Sequence, residues 1–314
     1  MAERLDFATP RPPRPGRMLV VTAGWGGCFV AIRYGLADAP LLWFAALRAI
    51  LAGGVLLAVG RAMGRPAPRR ATWPAVAALG LVNVAVAFAA MFAGTAGVSS
   101  GVAAVLANAQ PLLIVLPAWA LYRERPAQLT LVGVIVGFTG LIIAATSRGG
   151  GTDGAMLSIG AAAAITTGTL IARRFTGVDV IMLSAWQFVV GGLVLAGWAG
   201  VVEGAPVISV TTRFVVALAF LVLVGTALTY LLWFAELQRA ALVPLSAWTL
   251  LTPVFGVLAG WAIRGEGLSA QQGIGIGLVL AALPLTLLPA RPRQYGKAQE
   301  RRTQEGNSSS DGAS

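Results

Sequence analysis

Apolar runs of about the length a membrane requires alternate with short polar connections along nearly the whole chain. A helix needs about 20 mostly apolar residues to cross the hydrocarbon core of a bilayer. Ten such runs are read, over residues 17–36, 40–60, 73–94, 99–121, 127–147, 155–173, 180–199, 214–236, 242–263 and 271–290. The first is the weakest, because only Met18 to Ile32 is free of charge. A signal peptide would show a similar short apolar stretch. No polar mature domain follows it, however, and Arg33 interrupts the usual cleavage region, so it is read as a helix. The connections are mostly under 13 residues and leave no room for an extramembrane catalytic domain. Residues 1–16, broken by Pro10, Pro12, Pro13 and Pro15, and the polar stretch 291–314 are expected to be disordered cytoplasmic tails.

Composition moves the picture in the same direction. Hydrophobic residues make up 57% of the chain and charged residues 11%, against about 25% charged in a soluble domain. So few charges could not clothe a soluble core, and the outer face must meet lipid. The net charge of +11 would point to nucleic acid in a soluble protein. Here the basic residues sit in short loops, which is the distribution of the positive-inside rule, and no nucleic-acid partner is expected. With the N-terminus in the cytoplasm, eighteen Lys and Arg fall on the inner side and only Arg148, Arg213 and Arg264 on the outer, leaving Arg33 and Arg48 within spans. This bias places both termini in the cytoplasm and the protein in the cytoplasmic (inner) membrane as a multi-pass chain.

The two halves repeat. An offset of 142 residues pairs Phe88 with Tyr230, Phe92 with Phe234, Pro111 with Pro253, Trp119 with Trp261, Glu124 with Glu266 and Gly133 with Gly275. Each half holds five spans, and because five is odd the second half enters from the opposite side. The expected fold is therefore all-α and integral to the membrane: ten transmembrane helices in two inverted five-helix repeats, residues 17–147 and 155–290. Many secondary transporters are built this way, with the substrate near the midplane and two related conformations for alternating access. The same duplication could also serve only to build a stable bundle.

Several stretches carry a resemblance. They are Trp25-Gly26-Gly27-Cys28-Phe29-Val30-Ala31-Ile32-Arg33-Tyr34-Gly35, Phe44-Ala45-Ala46-Leu47-Arg48, and Gln110-Pro111-Leu112 with Tyr122-Arg123-Glu124-Arg125. Val224-Gly225-Thr226-Ala227 with Tyr230-Leu231-Leu232-Trp233-Phe234, and Thr252-Pro253-Val254-Phe255 with Arg264-Gly265-Glu266, complete the set. In order and spacing the chain resembles the drug/metabolite transporter superfamily, in particular its EamA-type exporters with two five-helix repeats. The resemblance covers all ten spans and implies export of amino acids or other small metabolites. Two departures stand out. The sixth span, Ala161 to Ala172, lacks the tryptophan often seen there, and Glu236 and Gln238 end the eighth span where the family more often shows neutral or basic residues.

Polar groups in hydrocarbon usually face a cavity or a partner. Arg48, about nine residues into the second span, carries a permanent charge and five donors. It is a candidate anchor for a substrate carboxylate. The competing role is to snorkel outward or to bond backbone carbonyls at a helix end. Asn83, Asn108, Gln110, Gln187, Thr249 and Thr252 also fall within spans. Each could simply tie two helices together, and together they describe a partly polar cavity. Trp25, Trp43, Phe88, Trp186, Tyr230, Trp233 and Trp248 are candidates for an aromatic lining, with Trp43, Trp119 and Trp261 also suited to the interfacial belt. The expected substrate contacts are Arg48, Asn83, Asn108, Gln110, Trp186, Gln187, Tyr230, Trp233, Trp248 and Thr252, with Pro111 and Pro253 bending their helices nearby. Gly273 and Gly277 suit close helix packing, and the chain is expected to be a monomer or a homodimer. The lone Cys28 is read as packing.

Other classes fare worse. The chain has no histidine and one cysteine, and no Asp or Glu stands mid-span. Serine–histidine, metal-histidine and aspartyl chemistry therefore have no residues to work with, and no metal or cofactor is expected. A proton relay through a central carboxylate is excluded on the same ground, which leaves facilitated diffusion or coupling through a span-end acid. A non-transporting receptor or assembly factor is the alternative to a transporter. The orientation is testable: a reporter active only in the cytosol should work when fused after Ser314 and be silent when inserted at Gly150, and the reverse pattern would reject it.

Overall fold

The structure is a computed structural model that describes residues 11–97, 106–122, 127–145, 152–175, 178–264 and 269–287. Among the described residues there is no strand, as expected where lipid leaves no outside partner for backbone amides and carbonyls. The helices are α1 Pro15–Gly35, α2 Leu41–Ala62, α3 over residues 73–97, α4 Gln110–Tyr122, α5 Gln128–Ala145, α6 Thr152–Arg173, α7 Val180–Val202, α8 Thr212–Leu237, α9 over residues 242–264 and α10 Ala270–Leu287. Among the described residues, seven helical spans are long and apolar enough to cross a membrane, and Gln110–Tyr122, Gln128–Gly140 and Gly273–Ala282 are shorter apolar helices. The expected tail 291–314, with Glu124 and Glu266, lies outside the described residues.

Local chemistry sets the ends. Pro15 stands in the first turn of α1, where its missing N–H costs no helical bond. Helix α2 starts after Pro40, and its exposed first amides are met by a distant acid: the Glu203 carboxylate accepts from Leu42 N at 2.8 Å and Trp43 N at 3.1 Å. Asp179 caps α7 through Met182 N at 3.0 Å, and Thr211 caps α8 through Phe214 N at 3.1 Å.

Two helices change pitch in mid-course. In α3, residues Gly80–Val86 are π-helical, and in α8 residues Leu223–Leu228 are. The two segments end 142 residues apart, at the spacing of the sequence repeat. The expected prolines act differently from the sequence reading. Pro111 opens the segment Gln110–Leu113, and Pro253 lies in the first turn of Leu251–Arg264, after a 3-10 turn over Trp248–Leu250. Each sits at a helical start, where no interior bond has to be broken, so the interruption precedes the proline.

Helix α2 packs on α7, α5 on α10, α3 on α6, and α1 on α8 and α9. Relating each helix to the one five places on turns the α3–α6 contact into the α8–α1 contact. Gly26 explains the closeness of α1 to α9, since a Cβ there would stand 2.6 Å from Thr252 O and 2.7 Å from Phe255 Cβ. The expected role for Gly273 and Gly277 does not hold within the chain. Both face open space, and the tight approach of α5 to α10 is made by Gly140, whose added Cβ would meet Gly275 O at 2.7 Å. Trp119 and Trp261 are each 52% exposed on the outside of the bundle.

Helices α1 and α8 are tied at both ends. At one, the Glu236 carboxylate, fully buried, accepts from Arg17 Nη1 at 3.1 Å and Arg14 N at 3.2 Å and also pairs with Arg239. Arg11 N donates to Arg239 O at 3.0 Å. Residues 11–14, expected as part of a disordered tail, are therefore extended and pinned against the end of α8, and α1 begins at Pro15 rather than at 17. At the opposite end Asp38 accepts from Arg213 Nε at 2.9 Å, Arg213 Nη2 at 2.8 Å and Thr211 Oγ1 at 3.0 Å.

The Arg213 guanidinium holds the Asp38 carboxyl below the usual carboxylate range. A depressed value means stabilisation that is complete above the unfolded pKa of about 3.9 and is lost as pH falls through the folded value. Thermal unfolding in detergent should show Asp38→Asn less stable than wild type by a constant margin from pH 5 to 8, shrinking only below about pH 3.9. A margin that already closes between pH 7 and 5 would contradict the pairing.

Candidate functional site

A cavity of about 60 Å³ lies between α1, α2, α3, α4, α6, α8 and α9. A water needs roughly 10–15 Å³ of such space, so the cavity holds a handful of waters. Its wall carries Arg48 from α2, Asn83 and Phe88 from α3, Asn108 and Gln110 at the start of α4, Thr169 from α6, Trp25 and Cys28 from α1, Tyr230 and Trp233 from α8, and Thr252 from α9. Seven of the ten expected contacts are thus brought together: Arg48, Asn83, Asn108, Gln110, Tyr230, Trp233 and Thr252.

Arg48 dominates the electrostatics. It is 2% exposed. Its Nε donates to Thr226 Oγ1 at 2.9 Å, and its Nη2 to Gly225 O at 3.2 Å and toward Cys28 Sγ at 3.6 Å. Both Thr226 and Gly225 belong to the π-helical segment of α8, where the Thr226 hydroxyl in turn donates to Leu221 O at 2.7 Å. The Phe88 ring face lies 4.4 Å from the Arg48 carbon, a cation–π contact. Nη1 has no hydrogen-bond partner among the described residues, nor has Thr252 Oγ1. Among the described residues no Asp or Glu lines the cavity. A buried charge without a countercharge is costly, and the arrangement favours an anion that accepts from Nη1.

The rest of the wall is polar at one side and aromatic at the other. Gln110 Nε2 donates to Thr169 Oγ1 at 2.9 Å. Trp25 meets Tyr230 edge-on at 6.0 Å between centroids and Trp233 at 5.2 Å. Such rings offer apolar area with specific geometry.

Trp186, Gln187 and Trp248 are not part of this wall. Trp186 packs edge-on against Trp73 at 5.0 Å, Gln187 stands behind Asn83 and accepts from its Nδ2 at 3.5 Å, and Trp248 is buried in the interrupted part of α9. The helical period says that a residue is buried but not which neighbour it faces. Cys28, read as packing, lines the cavity beside Arg48, and Thr169 and the positioning pair Gly225 and Thr226 were missed as site residues. Gly225-Thr226 stood in a stretch that carried the resemblance, and that was the available signal.

Comparison with known proteins agrees with these features. The EamA-like transporter family matches residues 17–146 and again 152–288. A WAT1-related chloroplastic protein of Arabidopsis thaliana is 29% identical over 84% of this chain and 67% of its own length. Protein PecM of Dickeya dadantii is 27% identical over 82% of this chain and 87% of its own, and the inner membrane transporter YedA of Escherichia coli is 25% identical over 89% and 94%. A crystal structure shares the fold with a TM-score of 0.73 at 21% identity, over 87% of this chain and 96% of that one. The chain belongs to the EamA-like transporter family, and it is a multi-pass membrane transporter and not an enzyme.

Proposed function

We propose that this protein exports small carboxylates, amino acids foremost, across the cytoplasmic membrane by alternating access, with Arg48 as the carboxylate anchor. The observation that carries the reading is the buried guanidinium whose Nη1 has no partner among the described residues, in a cavity without a carboxylate. Charge-assisted hydrogen bonds are among the strong ones, and an incoming carboxylate would supply the missing charge. The Thr252 hydroxyl and the Gln110 amide stand on the same wall, and the aromatic group around Trp25 offers an apolar seat for the rest of the solute. The chain is then ten transmembrane helices in two inverted repeats with both termini cytoplasmic. The double family match, the paired π-helical segments and the exchange of helix contacts between halves support that architecture. Mid-span carboxylates are absent, so coupling, where there is any, would use an acid at a span end.

Efflux from proteoliposomes loaded with labelled amino acids and other small carboxylates tests the reading. Arg48→Ala should lower flux at least about tenfold, the effect of losing one charge-assisted bond, while thermal unfolding shows the protein folded. Wild-type flux through Arg48→Ala would overturn the anchor. Thr226 tests how the anchor is held. Thr226→Val leaves Nε unsatisfied and should raise KM several-fold, whereas Thr226→Ser, which keeps the hydroxyl, should behave as wild type. Equal behaviour of the two variants would show that the hydroxyl does not position Arg48.

A further inference from the structure

We infer that the two ion pairs joining α1 to α8 are opposed latches of the transport cycle, one of which must part before the cavity opens to its side. The inference rests on the alternating-access reading above. The same two helices carry both latches and much of the cavity wall between them, with Trp25 and Cys28 from α1 and Tyr230 and Trp233 from α8. The charges alternate along both. From start to end α1 presents Arg17 and then, just past its last turn, Asp38, while antiparallel α8 presents Arg213 and then Glu236. Each helix thus brings one acid and one base, and both pairs close only when the helices lie side by side over their full length.

With both latches closed the cavity holds only a handful of waters, too little space for a solute the size of an amino acid. Helix α8 has a place to bend between its latches. The segment Leu223–Leu228 is π-helical, and segments of this kind mark functional sites and kinks. Arg48 grips that segment through Thr226 and Gly225, so a ligand drawing on Arg48 also acts on the joint between the two latches.

The latches are unequal. Both acids are buried, Glu236 at 0% and Asp38 at 6% side-chain exposure, and their partners Arg17 and Arg213 are 37% and 49% exposed. The difference lies in the partners: Glu236 receives two arginines, Arg17 and Arg239, and the Arg14 amide, whereas Asp38 receives the single arginine Arg213 and Thr211. With one arginine against two, the Asp38–Arg213 latch is the easier to open, assisted on closing by Ser209 N, which donates to Asp38 O at 2.8 Å.

The protein carries its own reporter, because Cys28 is the single cysteine and lines the cavity. Reconstituted in one orientation, it can be labelled with a membrane-impermeant thiol reagent from either face. Asp38→Asn or Arg213→Gln should speed labelling from the Asp38 side about tenfold and slow it from the other, since populations shift reciprocally. Glu236→Gln or Arg17→Gln should do the opposite. The exchange Asp38→Arg with Arg213→Asp restores a pair and should bring labelling back to within about twofold of wild type. The latch is overturned if folded variants label at wild-type rates from both faces, if both faces speed up together, or if the exchanged pair folds yet stays open. Flux measured on the same vesicles judges the transport reading separately. Absent flux with side-specific labelling would sink transport and keep the latch, and normal flux with unresponsive labelling would do the reverse.

Discussion

A guanidinium cannot shed its charge, and in this chain one is buried with no carboxylate on the wall around it. Much of the centre follows from that constraint. Three of its five N–H directions are met by protein, and one of them needs a backbone carbonyl. The π-helical turn of α8 supplies one, at Gly225, and places the Thr226 hydroxyl beside it. The Phe88 face covers the cation from another side. What remains is the unpartnered Nη1, and there the transported solute has something to gain.

How much of this the amino-acid order revealed depended on the kind of physics involved. Spans were legible because lipid imposes a length and a polarity that few other environments do, and helix starts such as Pro15 and Leu41 fell close to the expected limits. The 142-residue spacing stood out because Trp and Glu are scarce enough for paired positions to be noticed, and the two π-helical segments end at that spacing. The π-helical turns themselves were not legible, since adding one residue to a helical loop leaves hydropathy unchanged. Nor was the place of the prolines, because a proline at the start of a segment and one inside it look alike in a string of apolar residues.

Polarity pointed to cavity-lining residues more often than aromaticity did. Arg48, Asn83, Asn108, Gln110 and Thr252 all reach the cavity, because a polar group in hydrocarbon has few other places to go. Trp186 and Trp248 do not, because a large ring is content against any apolar neighbour. Gln187 shows the limit of the polar rule: it found a side-chain partner, Asn83, instead of the cavity.

The residues with the strongest chemistry are those that break the internal symmetry. At the 142-residue spacing Glu236 corresponds to Gly94, and α7, the helix that packs on α2, carries no charged residue from Val180 to Val202 to answer Arg48. The scaffold around them is paired at that spacing, in its π-helical turns, its prolines and its outer tryptophans. A symmetric scaffold alone would open equally to both sides and bind nothing in particular. On the proposed reading, one arginine placed in one half selects the charge of the solute. The acid at the end of α8 gathers Arg17, Arg239 and the Arg14 amide, where Asp38 at the other end gathers one arginine. On that reading, direction and selectivity come from a few charges laid asymmetrically on a repeated frame.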